Sequence, residues 1–275
     1  MHSETTTNRA GGGFLAARRE LIESLVGRNL KIRYKGSALG FFWSLLTPLC
    51  FILIYAVFAR LLKFGGLTPD YLQYLVCGII VWQFTVGCLN DSLHSISGNA
   101  NLVKKVFFPR VILPLSTALA NLVNYMLTFA VLMLYLLASG HARLGCGWLL
   151  VPAFAMHFAL CLGLCCLCGT SNVFFRDTEH IVGVVSQAWF FTTPVMYPVS
   201  FQLDFLPADI GWLAYVNPMT GILALYRKAV LGHAIEAGGC PPAAAVAVSA
   251  LVCAVVLAAG RQALRAGDAR FGDVL

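Results

Sequence analysis

The chain has 275 residues, 59% of them hydrophobic and only 11% charged. Soluble domains carry roughly 25% charged residues, so this composition excludes a soluble globular protein and indicates a polytopic, all-α membrane protein. The formal net charge of +7 is accounted for by cations gathered on the cytoplasmic side and by contact with anionic membrane lipid; no nucleic-acid partner is expected.

Residues 1–13 are polar, with Thr5-Thr-Thr7 and Gly11-Gly-Gly13, and read as a flexible tail without a cleavable signal peptide. From 14 to 36 the pattern is amphipathic. Phe14, Leu21, Ile22, Leu25 and Val26 share one helical face, while Arg18, Arg19, Arg28, Lys31 and Arg33 lie on others. A basic amphipathic helix beside a first span is expected to lie in the membrane interface.

The transmembrane domain is expected over 37–275, with six apolar spans at about 39–62, 72–95, 111–138, 148–173, 181–199 and 243–264. With both termini inside, fourteen Lys and Arg residues fall on the cytoplasmic side and five (Arg60, Lys63, Arg143, Arg227 and Lys228) outside. That is the expected sense of the bias. The cytoplasmic segment 97–110 carries Lys104, Lys105 and Arg110 and no acid. Residues 200–242 are external yet too apolar for a plain loop, and Pro207 and Pro218 cut them into pieces too short to span. Re-entrant external helices between spans five and six satisfy both constraints.

No phosphate-binding G-x-x-x-x-G-K-[ST] loop occurs, nor a G-x-S-x-G elbow or an H-E-x-x-H pair. Any energy taken from nucleotide would therefore have to come from another polypeptide. Charge at mid-membrane is almost absent, which disfavours ion coupling. Asp91, beside Asn90 near the inner end of the second span, is a candidate contact for a substrate headgroup, or a carboxylate reaching water or Lys104. Trp189-Phe-Phe191 and Tyr197 form an aromatic run suited to the C–H faces of sugar rings, with helix packing as the alternative for any single ring. Cys161, Cys165, Cys166 and Cys168 crowd one span without His or acidic ligands and read as packing residues, so no metal site is expected. Cys146 and Cys240 both fall in external loops, which leaves a disulfide between them open.

Tyr34-Lys-Gly-Ser-Ala-Leu-Gly-Phe-Phe-Trp-Ser-Leu-Leu-Thr-Pro48 closely resembles the entry to the first span in ATP-binding-cassette permeases that export polysaccharides of the O-antigen, teichoic acid and capsule types. Asn99-Ala-Asn-Leu-Val-Lys-Lys-Val-Phe-Phe-Pro-Arg-Val-Ile-Leu-Pro114 looks like the loop between spans two and three of that family. Phe174-Phe-Arg-Asp177, Thr193-Pro-Val-Met-Tyr-Pro198 and Asn217-Pro-Met-Thr-Gly221 follow in order. The resemblance covers roughly 20–230. It implies a homodimer of six-span subunits paired with two copies of a nucleotide-binding ATPase subunit, which would bind ATP and Mg and leave this chain a transport subunit and not an enzyme. It also implies a coupling helix within 99–110, so Asn99, Asn101, Lys104, Lys105 and Arg110 are the expected ATPase contacts.

The function expected from these readings is the permease subunit of an ATP-driven exporter in the inner (plasma) membrane of a bacterial cell. It would move a lipid-linked polysaccharide from the cytoplasm to the outer face. Arg28, Lys31, Arg33 and Lys35 would attract the diphosphate of the lipid carrier. Trp43, Asn90, Asp91, Trp189, Phe190, Phe191 and Tyr197 would line the substrate path. The alternatives are an ABC permease for another amphiphile, an ion-coupled lipid flippase, and a membrane enzyme, for which no acidic, His or Arg constellation is evident.

Overall fold

A computed structural model describes residues 5–37, 40–61, 70–105 and 108–274, and every regular element among them is a helix. In chain order these are α1 (Thr5–Tyr34), α2 (Trp43–Leu61), α3 (Tyr71–Leu93), α4 (Ala100–Lys105), α5 (Ile112–Ala138), α6 (Leu150–Phe174), α7 (Thr178–Thr192), α8 (Ser200–Leu203), α9 (Pro218–Leu231), α10 (Pro242–Asp268) and α11 (Phe271–Val274). Tighter 3₁₀ turns precede α2, α4, α6 and α9. Helix α1 begins at Thr5, ahead of the expected start at Phe14, so most of the segment read as a flexible tail has helical backbone. Residues 1–4 of that segment lie outside the described residues.

Four of the described helices are long and apolar enough to cross a membrane: Tyr71–Leu93, Ile112–Ala138, Leu144–Phe174 and Pro242–Asp268. Six were expected. In α2 the apolar stretch that can be described is Leu46–Val57. Helix α7 has 15 residues, about 22 Å at 1.5 Å per residue, against a hydrocarbon core of about 30 Å. It ends short of the expected 199 because Pro194 disfavours helical backbone at the residue before it. Thr193 is accordingly extended, with φ −98° and ψ 137°.

Residues 210–231 do not form one helix. A 3₁₀ stretch, Ala208–Val216, kinks at Ile210 and is followed by α9, whose entry is set locally. Pro218 occupies the first turn, where its missing N–H costs nothing. The Asn217 side chain caps the helix by accepting from the Met219 N–H at 3.1 Å. Helix α9 has 14 residues, too few to span, and all but Lys228 are buried, because it packs against α3, α6 and α10.

The main core joins α3, α5, α6 and α9. At its centre Phe84 stacks on Tyr125 at 4.8 Å, and Tyr226 meets Tyr125 and Phe154 edge-on. Cys161, Cys165, Cys166 and Cys168 are buried on α6, and the Cys165 thiol donates to the Cys88 carbonyl at 3.5 Å. Cys146 and Cys240 are not bonded to each other. Helices α6 and α10 cross at Gly163 and Gly260, where a Cβ on either residue would run into the other backbone. Small residues are what allow membrane helices this approach.

A second cluster lies at one end of the bundle. Leu21, Ile22 and Leu25 of α1 join Val103 of α4, Ile112 and Leu113 of α5, Leu264 of α10 and Phe271 of α11. The apolar face of α1, expected to rest on lipid, is thus largely covered by protein at these three positions.

Candidate coupling and translocation site

Among the described residues, the segment 97–110 is a 3₁₀ turn (Ser97–Asn99), the short helix α4 and irregular chain from Phe108 to Arg110. Its pattern sorts the side chains. Leu102 and Val103 face the second cluster, whereas Asn101 and Lys104 are exposed. The Lys105 side chain lies outside the described residues. Both ends are anchored. Asn99 accepts from the Arg28 guanidinium at 2.5 Å and donates to the Ser95 carbonyl at 2.7 Å. Arg110 pairs with Asp268 (Nε to Oδ1, 3.0 Å), donates to the Asp268 carbonyl, and lies 5.6 Å from the centre of the Phe271 ring. Arg110, expected to meet a partner, is therefore turned onto the end of α10. Asn101 and Lys104 remain presented outward.

Beside this segment, α1 packs against α5 and reaches the C-terminal end of α3 through side chains. Arg33 donates to both Asp91 and Asn121, the latter at 2.9 Å. Asn121 in turn donates to Asp91 at 2.8 Å. The partner of Asp91 is thus Arg33 and not Lys104. The charge-assisted triangle separates two clefts. One, of about 520 Å3, is lined by Arg28, Asn90, Asp91, His94 and Asn99. The other, of about 340 Å3, runs between α2, α3 and α5 past Thr47, Gln83, Asn124 and Thr128. Arg33 and Asp91 border both, so polar lining continues from the amphipathic helix into the apolar bundle. Lys31 and Lys35 are exposed and outside this network.

The aromatic run divides by face. Trp189 and Phe190 turn inward, 5.4 and 5.5 Å from Trp82, and the Trp189 indole N–H donates to Asn217 at 3.0 Å. Phe191 is 71% exposed. Tyr197 is half-buried, donates to the Phe191 carbonyl at 2.9 Å and stacks on Phe201. Of the four rings, Phe191 alone is exposed; Trp189, Phe190 and Tyr197 are each partly buried against other side chains. Trp43 is exposed on α2, beside a stripe formed by Leu46, Leu49, Leu53 and Val57. Helix α7 presents Ile181, Val184 and Val185 in the same way.

A family model described as "ABC-2 type transporter" matches residues 20–231, from α1 to the last residue of α9. The chain belongs to the ABC-2 type transporter family. Members are membrane-spanning permease components of ABC transporters, so this ABC-2 permease is a multi-pass inner-membrane protein. It is 30% identical over 211 residues to the O-antigen export system permease protein RfbA of Klebsiella pneumoniae, covering 76% of this chain and 79% of that protein. It is 30% identical over 215 residues to RfbA of Myxococcus xanthus, covering 78% and 82%. The polysialic acid transport protein KpsM of Escherichia coli is 23% identical over 223 residues, covering 79% and 83%.

One side chain of this ABC-2 permease was counted in the sequence only as an external cation. Arg227, on α9, is 2% exposed. It donates to the Tyr74 hydroxyl at 2.6 Å, the Pro194 carbonyl at 2.7 Å and the Val195 carbonyl at 2.7 Å. Its guanidinium also lies 3.4 Å from the centre of the Tyr74 ring. The motif 193–198 is thereby clamped from two sides, since Tyr71 and Tyr74 donate to the Met196 and Tyr197 carbonyls and Asn217 donates to the Thr193 hydroxyl at 2.9 Å. The available signal was the position of Arg227 directly after Ile222, Leu223, Leu225 and Tyr226, on the same apolar helical run.

Proposed function

We propose that this chain is the permease subunit of an ATP-driven exporter that moves a lipid-linked polysaccharide of the O-antigen type from the cytoplasm to the outer face of the inner membrane. The observation that supports it best is the similarity to O-antigen export permeases over more than three-quarters of the chain. In this reading the subunit works as a homodimer with two copies of a nucleotide-binding ATPase subunit. Six segments cross, α2 and the stretch from α7 through the 193–198 turn joining the four long helices, and 200–242 returns to the outer side, leaving both termini cytoplasmic. The exposed aliphatic faces of α2 and α7 are surfaces that a second copy would cover or a cargo would follow.

The geometry supports a division of labour. Asn101, Lys104 and Lys105 meet the ATPase, and the anchors at Arg28–Asn99 and Arg110–Asp268 pass its motion to α1 and α10. The diphosphate of the lipid carrier approaches Arg28, Lys31, Arg33 and Lys35, and Arg33 exchanges Asp91 for phosphate oxygens as the headgroup enters. Asn90 borders this entry cleft. Phe191, Tyr197 and Trp43 offer faces to the glycan, while Trp189 and Phe190 support them from behind.

The test is co-purification of the chain with its ATPase subunit, followed by ATP hydrolysis and surface-glycan assays with Lys104 and Lys105 both replaced by Glu. Charge reversal at an exposed docking helix is expected to lower coupled export by on the order of tenfold or more. An assembled complex that exports normally would remove the coupling role.

A further inference from the structure

A separate groove, of about 460 Å3, lies between α10, α6 and the start of α5, within the size range of small-molecule sites, about 300–1,000 Å3. Its floor is apolar, formed by Leu162 and Cys166 of α6 with Leu257 and Leu264 of α10. Its rim carries three arginines, Arg110, Arg261 and Arg265, against one carboxylate, Asp268. That carboxylate is already held by Arg110. Arg261 and Arg265 are exposed and form no hydrogen bond or ion pair among the described residues. Four residues apart on α10, they stand one above the other on one face. That same face continues along the helix through Leu257 to Ala254 and Ala250, whose side chains are too small to obstruct an alkyl chain lying against it.

We infer that this groove binds one anionic phospholipid of the cytoplasmic leaflet. Its phosphate sits between Arg261 and Arg265, and one acyl chain lies over Leu257 toward Ala254. The chemistry is that of a basic pocket between membrane helices on the cytoplasmic side, and it rests on the reading that α10 ends in the cytoplasm. Both members of the Arg110–Asp268 pair border the groove, so an occupant braces the end of α10 to which the coupling segment is tied. Arg261 and Arg265 lie beyond the region matched by the family, 20–231.

The experiment uses the full chain, purified in neutral detergent and stripped of lipid. Native mass spectrometry counts bound dioleoylphosphatidylglycerol, with dioleoylphosphatidylcholine and inorganic phosphate as parallel probes. The expected result is one retained phosphatidylglycerol per chain, no comparable retention of phosphatidylcholine, and no displacement by inorganic phosphate. The double variant Arg261→Gln/Arg265→Gln should retain about tenfold less. Both guanidinium groups are exposed, so the fold is expected to survive; the two single variants give the same readout if the double variant expresses poorly. Equal retention of the two lipids, full displacement by inorganic phosphate, or unchanged binding in the variants would overturn the site. No glycan or ATPase is present, so failure here is distinct from failure of the export reading.

Discussion

Two arginines hold the two ends of this bundle in opposite ways. At the end that carries α1, the inner end in the proposed orientation, the Arg33 and Asp91 side chains are 33% and 44% exposed, and their pair joins α1 to α3 between two clefts. At the far end, Arg227 is buried with no carboxylate bonded to it among the described residues, its charge met by carbonyl oxygens, the Tyr74 hydroxyl and the Tyr74 ring. A half-exposed pair gains little stability because water screens it and competes for both partners. A buried cation whose ligands are backbone carbonyls has no such exchange, and removing it strands those acceptors. In the proposed export cycle the inner end opens to an incoming anion, whereas the contacts at the far end hold the 193–198 turn in one shape.

The largest effect that contrast predicts is for Arg227→Met. It leaves the Pro194 and Val195 carbonyls without their donor, at about 1–3 kcal/mol for each buried group left unpaired. A clear fall in melting temperature in neutral detergent is expected, with loss of surface glycan; an unchanged melting temperature would contradict the clamp. Next is Gly78→Ala on α3. A Cβ there would lie 2.6 Å from both the Arg227 Nη2 and the Val195 carbonyl oxygen, an overpacking worth about 1–3 kcal/mol. The same melting assay reads it, and combining it with Arg227→Met should cost less than the sum, because the two share one contact.

At the inner end, Asp91→Asn should change stability by less than about 1 kcal/mol. It should nonetheless tighten binding of a polyprenyl diphosphate to the purified chain, since Arg33 no longer has a carboxylate to leave. Weaker binding would argue that Asp91 itself contacts the headgroup. The smallest effect concerns His233, in the loop after α9, whose ring meets Tyr74 edge-on at 5.5 Å. Burial, with Arg227 nearby, pushes its pKa below the ordinary histidine value. Its neutral form is favoured by folding, so the stability it contributes is full above about pH 6.5 and declines as pH falls toward the depressed value. The melting temperature of His233→Gln should therefore depend less steeply on pH over mildly acidic conditions than that of the unaltered chain.

The elements most legible beforehand were the long apolar runs. Those at 72–95 and 111–138 overlie helices Tyr71–Leu93 and Ile112–Ala138, because twenty or more apolar residues in lipid must close their own backbone hydrogen bonds. The break after α7 was less legible, since apolar composition continues through Val195 and Met196 while Pro194 ends the helix. At the candidate site, Asp91 and Arg33 were each singled out, but as separate groups. Their juxtaposition depends on α1 packing against α5, beside the end of α3, and no local pattern encodes that. Arg227 was misjudged for a related reason: counting cations by loop assumes that they face water, and its ligands come from α3 and from the turn after α7.

Composition and periodicity alone therefore determined the class of the molecule, its main helices and the basic segment 97–110, because these follow from the cost of burying polar backbone and charge in lipid. Ordered motifs across 20–230 indicated the family in the same way, as a property of the linear chain. Tertiary structure decided which cations are spent on internal contacts (Arg33, Arg110 and Arg227) and which stand exposed (Lys104, Arg261 and Arg265). That division rests on distances between residues far apart in the chain, where a guanidinium meets a carbonyl, a carboxylate or open solvent only once the helices have packed.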